Sequence, residues 1–266
     1  MSNIAIAGMG WLGIPLSRTL QNLGHQVKGS TTSKEKQQKL QHNGIDTYIV
    51  EIKEDGITGD VAGFLKDIEL LIVLIPPGLR NNTDHNHAQC MLQLLKAAEN
   101  ALVKKVIVAS STGVYDDSQG HVDDTVMPKP QTMKAKQLLE VEQLFCNSLE
   151  IDTTVIRFGG LFGGSRNPVQ YLAGRTDLSN GSAPVNLIHR TDCINIILAV
   201  IYKKAYGHVI NAVNPQHPKK SIYYAQKATE MGLKPPIYSK ETEGIYKKID
   251  SVKIEKLLGY TFQVDL

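Results

Sequence analysis

Residues 4–27, IAIAGMGWLGIPLSRTLQNLGHQV, decide the fold. An apolar run at 4–7 leads into Gly8, Gly10 and Gly13, spaced G-x-G-x-x-G, and an amphipathic stretch to residue 23 follows before a second short run at 26–28. Strand, glycine turn, helix and strand in that order predict a dinucleotide-binding βαβ unit. Gly8 allows the tight turn, Gly10 lets backbone approach a pyrophosphate, and Gly13 lets the helix pack on the strand. The amide end of the helix then faces the phosphates. Trp11 and Leu12 stand between the glycines. Trp11, the only tryptophan, either shields the pyrophosphate or packs at the rim.

The alternation continues along the chain. A helix is expected over 33–42, strands at 48–50, 70–75 (LLIVLI), 105–110 (KVIVAS) and 153–158 (TTVIRF), and helices from about Asp84 to 98 and near 132–148. In the former helix Ala88, Met91, Leu92 and Leu95 share one face. Strands that are apolar throughout are buried on both faces, as in a parallel sheet. The fold class that follows is α/β, a Rossmann doubly wound parallel sheet. Gly and Pro are scattered over 159–184 and from 215 onward, which predicts a small irregular C-terminal substrate lobe. The expected domains are therefore 1–158, with 185–214 packing back on it, and a lobe made of 159–184 and 215–266.

The end of the second strand selects the cofactor. An acidic residue there would bond the ribose 2′-hydroxyl of NAD. The chain instead reads KGSTTSKEK, with Ser30, Thr31, Thr32, Ser33 and Lys34 before the first carboxylate, Glu35. Hydroxyls and an ammonium suit a 2′-phosphate, so NADP is favoured and NAD is the weaker expectation. The plainer reading is that Ser33 caps the next helix and Lys34 is solvated. LIPPGL at 74–79 ends the fourth strand, where Ile75, Pro76 and Pro77 would pass the cofactor ribose.

Composition narrows the partners. With 29 Lys+Arg against 26 Asp+Glu the formal charge is +3, too mild for a nucleic-acid footprint. Cys90, Cys146 and Cys193 are far apart and odd in number, and read as small core hydrophobes in a reducing compartment. No apolar run approaches 18 residues and no charged leader opens the chain. A soluble cytoplasmic protein acting on a small molecule is expected, without nucleic-acid or membrane partners; a homodimer is compatible with this reading. His85 and His87 invite a metal reading, but positions i and i+2 on a helix do not face each other, so no metal is expected.

Three blocks in the second half, SSTGVY at 110–115, RFGGLFG at 157–163 and VNLIHRTD at 185–192, follow the strands in an order that resembles the extended short-chain dehydrogenase/reductase superfamily, the NAD-dependent epimerase/dehydratase group. The glycine loop with its nearby Pro15 also resembles the 3-hydroxyisobutyrate dehydrogenase family, which implies an all-helical second half that these blocks do not support. GWLG at 10–13 and LLGY at 257–260 are most similar to the YeeZ-like branch of atypical members.

The resemblance implies a Ser or Thr after the fifth strand and a Tyr-x-x-x-Lys on the next helix. Ser111 takes the first place by its spacing to VY at 114–115; Ser111 either touches substrate or closes a turn, and Ser110 precedes it beside the cofactor. Anchoring on Glu140 places Lys136 at the lysine and Thr132 where the tyrosine should stand. A phenol of pKa about 10 can be lowered toward neutrality, whereas a threonine hydroxyl is a poor general acid or base. Lys136 is then the residue that would bond the nicotinamide ribose, its plainer reading being a solvated helix lysine. Phe158, Gly159 and Gly160 would run beside the nicotinamide, and Arg157 is a structural anchor. The same resemblance puts Arg166, Asn186 and His189 on the substrate side, with Asp192 ordering the helix start near Thr191. The activity implied is an oxidoreductase or epimerase/dehydratase acting on a small polar substrate held between the sheet's carboxyl edge and the lobe. The missing tyrosine equally suits a catalytically inactive dinucleotide-binding sensor.

Overall fold

The computed structural model describes residues 1–78, 85–239 and 244–266. Leu79 of the LIPPGL run and Asp84, the expected start of a helix, lie outside the described residues. Strands and helices alternate from the amino terminus: β1 (Asn3–Ala7), α1 (Gly13–Asn22), β2 (Gln26–Thr31), α2 (Lys34–His42), β3 (Asp46–Lys53), β4 (Gly56–Gly59), α3 (Val61–Leu65), β5 (Leu70–Val73), α4 (His87–Asn100) and β6 (Lys105–Ser111). The pattern loosens after β7 (His121–Val122), α5 (Met133–Cys146) and β8 (Asp152–Phe158), with β9 (Gly160–Phe162), α6 (Pro168–Leu172), β10 (Leu187–His189), α7 (Arg190–Lys203), β11 (Val209–Ala212), α8 (Lys220–Glu230), β12 (Lys248–Ile249) and α9 (Val252–Leu258).

An eight-stranded sheet runs in the order β11-β8-β6-β5-β1-β2-β3-β4. β1 pairs in parallel with β2 and with β5, β2 with β3, and β5 with β6, while β4 returns antiparallel on β3. The edge hairpin of β3 and β4 turns at Glu54 and Asp55 before Gly56, an Asp-Gly turn that the expected strand at 48–50 leaves out. The order reverses between β1 and β5, the topological switch point at which open α/β sheets bind ligands at the carboxyl ends of their strands. The architecture is the doubly wound, Rossmann-like α/β fold.

The chain divides into two compact units, one of residues 1–111, 130–156 and 200–209, the other of 112–129, 157–199 and 210–266. In the first, the central strands are buried on both faces: Ile4 to Ala7 and Leu71 and Ile72 exclude solvent, and Ala88, Met91, Leu94 and Leu95 of α4 join Val106 and Val108 in the core. The second has its own smaller core of Val169, Val185, Leu187, Tyr223, Tyr224 and Ala228. Cys90 and Cys193 are buried as expected, but Cys146 is exposed, at the last position of α5.

Candidate cofactor site

Four adjacent strands bring the expected cofactor residues of the first unit to one edge. In the sheet order β6-β5-β1-β2, Ser110 and Ser111 end β6, Ile75 to Pro77 follow β5, the glycine loop follows β1, and Ser30 to Lys34 follow β2. Gly8 has φ +107°, a conformation that side-chain-bearing residues rarely adopt. A Cβ on Gly13 would collide with the Gly8 carbonyl oxygen, so helix and turn close only on glycine. Gly10 differs from both: a Cβ there would meet nothing within 4 Å. The space in front of it is open.

The amide end of α1 matches that space. Its N-cap, Leu12, offers no side-chain hydrogen bond and no acidic residue stands in the first turn. By contrast α2 to α6 are each capped by a side chain, from Ser33, Asp60, Asn86, Thr132 and Asn167 respectively. Unsatisfied helix amides and their dipole favour an anion. A diphosphate fits this cradle: Gly10 leaves room for it, and the positive end of the α1 dipole faces it, although Ile14 N already donates to the Gly10 carbonyl and Pro15 has no N–H. Trp11 is half-buried and Leu12 buried beside it.

After β2, Ser30 is buried and its carbonyl accepts the Met9 amide at 3.1 Å, tying the strand to the glycine loop. Thr31 Oγ1 accepts from Ser33 N, and Ser33 Oγ caps α2 by accepting from Lys36 N, so the plainer reading holds for Ser33. Thr32 and Lys34 are exposed. Lys28 is otherwise engaged: Nζ donates to the Gly63 and Lys66 carbonyls.

Ser110, at the end of β6, donates to the carboxylate of Glu142 on α5 at 2.5 Å. Glu142 is 3% exposed. Ser110 also borders a small internal cavity with Val73, Ile75 and His87. Burial, aided by neighbouring His85, lowers the His87 pKa to about 4, so that ring is neutral at physiological pH. His85 precedes α4 and His87 begins it, their ring centroids 6.4 Å apart. Among the described residues, no three His, Cys, Asp or Glu side chains are grouped to hold a metal ion.

Thr132 and Lys136 meet at the start of α5, where Lys136 N donates to the Thr132 carbonyl at 3.0 Å. Thr132 lies just outside α5 in extended conformation, and its Oγ1 accepts from Ala135 N at 3.2 Å as the helix cap. Lys136 is exposed on the first turn.

In the second unit, Phe158 is buried, and the Gly160 amide donates to the Asn186 carbonyl at 2.8 Å. A Cβ on Gly159 would lie 2.8 Å from that same oxygen. The carboxamide of Asn186 is engaged on both sides: Nδ2 donates to Lys247 O and Oδ1 accepts from Ile249 N. His189 packs edge-on against Phe162, and its Nδ1 accepts from Thr191 N at 3.2 Å. Burial lowers its pKa, Arg190 acts in the same sense and Asp192 opposes. The helix start is thus met by His189 rather than Asp192. Asp192, fully buried, accepts from Tyr260 Oη at 2.6 Å and Gln263 N at 2.7 Å, fastening the chain's last segment.

Arg157 is the anchor the sequence suggested. It is 5% exposed, donates to Tyr115 Oη at 2.7 Å and lies over the Tyr115 ring. Tyr115 Oη in turn bonds Asn211 Oδ1 and the Asp123 carbonyl. The partners Tyr115 and Asn211 had no local signal, being 96 positions apart. Arg166 lines a cavity of about 210 Å³ with Phe162, Tyr223, Lys227, Met231 and Asp265. Tyr223, Lys227 and Met231 recur at helical spacing, a signal that the scattered prolines around 215–236 masked.

A family model described as NAD(P)H-binding matches residues 8–203. Protein YeeZ of Escherichia coli strain K12 is 32% identical over 265 residues, covering 99% of this chain and 96% of that protein. Among solved structures, UDP-glucuronic acid 4-epimerase from Bacillus cereus in complex with NAD has a TM-score of 0.81 at 20% identity, covering 99% of this chain and 92% of that one. A putative NAD-dependent epimerase/dehydratase from Methylobacillus flagellatus has a TM-score of 0.75 at 23% identity, covering 98% and 93%. No helix among the described residues is long and apolar enough to cross a membrane. With a glycine cradle at the switch point of a Rossmann-like sheet, a matching family model over residues 8–203 and a full-length relative of this identity, the chain belongs to the NAD(P)H-binding family, as a relative of Protein YeeZ.

Proposed function

We propose that this protein binds NADP in preference to NAD and acts as an atypical reductase or epimerase on a small polar substrate. The observation that carries the reading is the open space before Gly10 at an α1 terminus that no side chain caps. Gly8 to Gly13 would hold the pyrophosphate, with Trp11 and Leu12 at its rim, and Ile75, Pro76 and Pro77 would border the ribose. Thr31, Thr32 and Lys34, with no carboxylate before Glu35, favour a 2′-phosphate. Bound there, NADP supplies hydride transfer at its nicotinamide. Lys136 would hold the nicotinamide ribose hydroxyls, Phe158 to Gly160 would border the ring, and Ser111 would hold a substrate oxygen.

On the substrate side, Arg166 and Lys227 give the 210 Å³ cavity of the second unit a cationic lining that Asp265 offsets in part. This supports a substrate bearing an acid or phosphate group, and the fold neighbour named for UDP-glucuronic acid supports the same class.

Titration of the protein with NADPH and NADH tests the cofactor assignment. NADPH is expected to bind at least about tenfold tighter, a difference of roughly 1.4 kcal/mol, and Lys34→Glu should narrow the gap. Equal affinities in the parent protein would overturn it.

A second reading is favoured by one observation: the Thr132 hydroxyl caps α5 and no tyrosine stands in its place. In that reading the protein binds the dinucleotide without turnover and acts as a sensor. Single-turnover oxidation of bound NADPH by a carbonyl substrate separates the two, since the sensor gives none.

A further inference from the structure

Side chains alternate along β6, so Val106, Val108 and Ser110 share one face of the strand. Val106 and Val108 join the core that Met91 and Leu94 of α4 and Val141 and Phe145 of α5 complete. Ser110, 9% exposed, therefore stands where the pattern calls for a third apolar residue. Glu142, 3% exposed, is the matching exception on α5, beside Val141. The two exceptions meet: Ser110 Oγ donates to Glu142 Oε1 at 2.5 Å. Next to Ser110 on this face lies a cavity of about 10 Å³, bordered by His87, Val108, Leu138 and Val141.

Apolar residues in place of a buried ionic or polar pair are often neutral or stabilising, so stability gives no reason for a carboxylate here. Its contribution is direction. Apolar surfaces can slide over one another, whereas a buried hydrogen bond is satisfied in one register only. The same helix is tied at a second point. Gln137 Oε1 accepts the His87 amide at 2.8 Å, and its Nε2 donates to the His85 carbonyl at 3.3 Å. α5 thus holds the end of β6 through Glu142 and the start of α4 through Gln137. Ser111 and Lys136, the two residues of this unit given to the nicotinamide end, are each next in sequence to a tied residue.

We propose that Glu142 is a positioning residue: through Ser110 it fixes the register of α5 against β6, and so where Lys136 and Ser111 stand. Its effect on NADPH rests on the cofactor reading, while the register itself does not.

Two substitutions separate the parts. Glu142→Leu removes the acceptor and completes the apolar layer; Glu142→Gln keeps an oxygen for Ser110. Hydrogen exchange of the His87 amide, in the full chain without cofactor, reads the register, because the partner of that amide is on α5. Its protection should fall about tenfold in Glu142→Leu and stay within about twofold of the parent in Glu142→Gln, with melting temperatures little changed. NADPH titration should follow the same order, about tenfold weaker in Glu142→Leu and within about twofold of the parent in Glu142→Gln. Parental His87 protection in Glu142→Leu overturns the register lock, and parental NADPH affinity in that variant overturns its part in the site. Equal losses in both variants, with lowered melting temperatures, would make Glu142 a stability residue and overturn the proposal too. If the parent binds no NADPH, the cofactor reading fails and the exchange result still decides the register. Should Glu142→Leu not fold, Ser110→Ala removes the donor instead: the same fall in His87 protection supports the lock, and parental protection overturns it.

Discussion

The amino ends of α1 and α5 are both in the first unit, and they are finished differently. α1 opens on glycines, with no side-chain cap and no acidic residue in its first turn. α5 opens on Thr132, whose hydroxyl accepts the Ala135 amide. An uncapped helix end leaves donors for a ligand, whereas a capped one has used part of that capacity internally. The contrast separates two parts of the proposed function: the α1 end has no side-chain cap, while the hydroxyl of Thr132, which the resemblance would align with a tyrosine, serves as a helix cap.

The largest effect that could break this contrast is at Gly10. A side chain there meets no protein atom, so Gly10→Val should leave thermal stability nearly unchanged while reducing NADPH affinity by a hundredfold or more, on the order of 3 kcal/mol. Calorimetric titration beside a melting curve reads both quantities. Gly13→Val is the counterpart, because its Cβ has no room against the Gly8 carbonyl; it should lower the melting temperature itself. Retained NADPH binding in Gly10→Val would mean that the loop is only a turn.

A smaller effect is expected at Lys136. If its ammonium holds the nicotinamide ribose, Lys136→Ala loses a charged hydrogen bond, and affinity should fall about tenfold with stability unchanged. Parent-like binding would show that the spacing from Glu140 assigns the wrong lysine, leaving α5 without a cofactor contact.

What the sequence made legible follows the range of the interactions. The glycine loop, the alternation of strands and helices and the Ser33 cap are short-range features, the longest being the βαβ unit of residues 3–31, and the structure carries all three. The Arg157–Tyr115–Asn211 network, the Asp192–Tyr260 fastening and the His121–Asp250–His217 cluster join residues from 33 to 129 positions apart, and no periodicity announces them. Helix α8 was hidden for another reason. Prolines at 215, 218, 235 and 236 flank it, so its Tyr223, Lys227, Met231 spacing was submerged in a stretch read as irregular. Thr132 was legible in principle, since a Thr before an apolar run is an N-cap signal. The Tyr-x-x-x-Lys spacing points instead to a position beside the nicotinamide.

The smallest expected effect on binding, and the one that sharpens the contrast most, is at Thr132 itself. Because its hydroxyl caps α5, Thr132→Ala should cost about 1 kcal/mol of stability, while Thr132→Ser, which keeps the acceptor, should cost little. Neither should change NADPH affinity more than about twofold, a few tenths of a kcal/mol, because the cradle lies at α1. Thr132→Tyr distinguishes the enzyme from the sensor. It removes the same cap and so should be destabilised by a similar amount, but it supplies a phenol four positions before Lys136. If that position faces the nicotinamide, the variant should gain oxidation of NADPH with simple carbonyl compounds that Thr132→Ala lacks. Equal rates in the two variants would place residue 132 away from the reacting centre and leave it the cap alone.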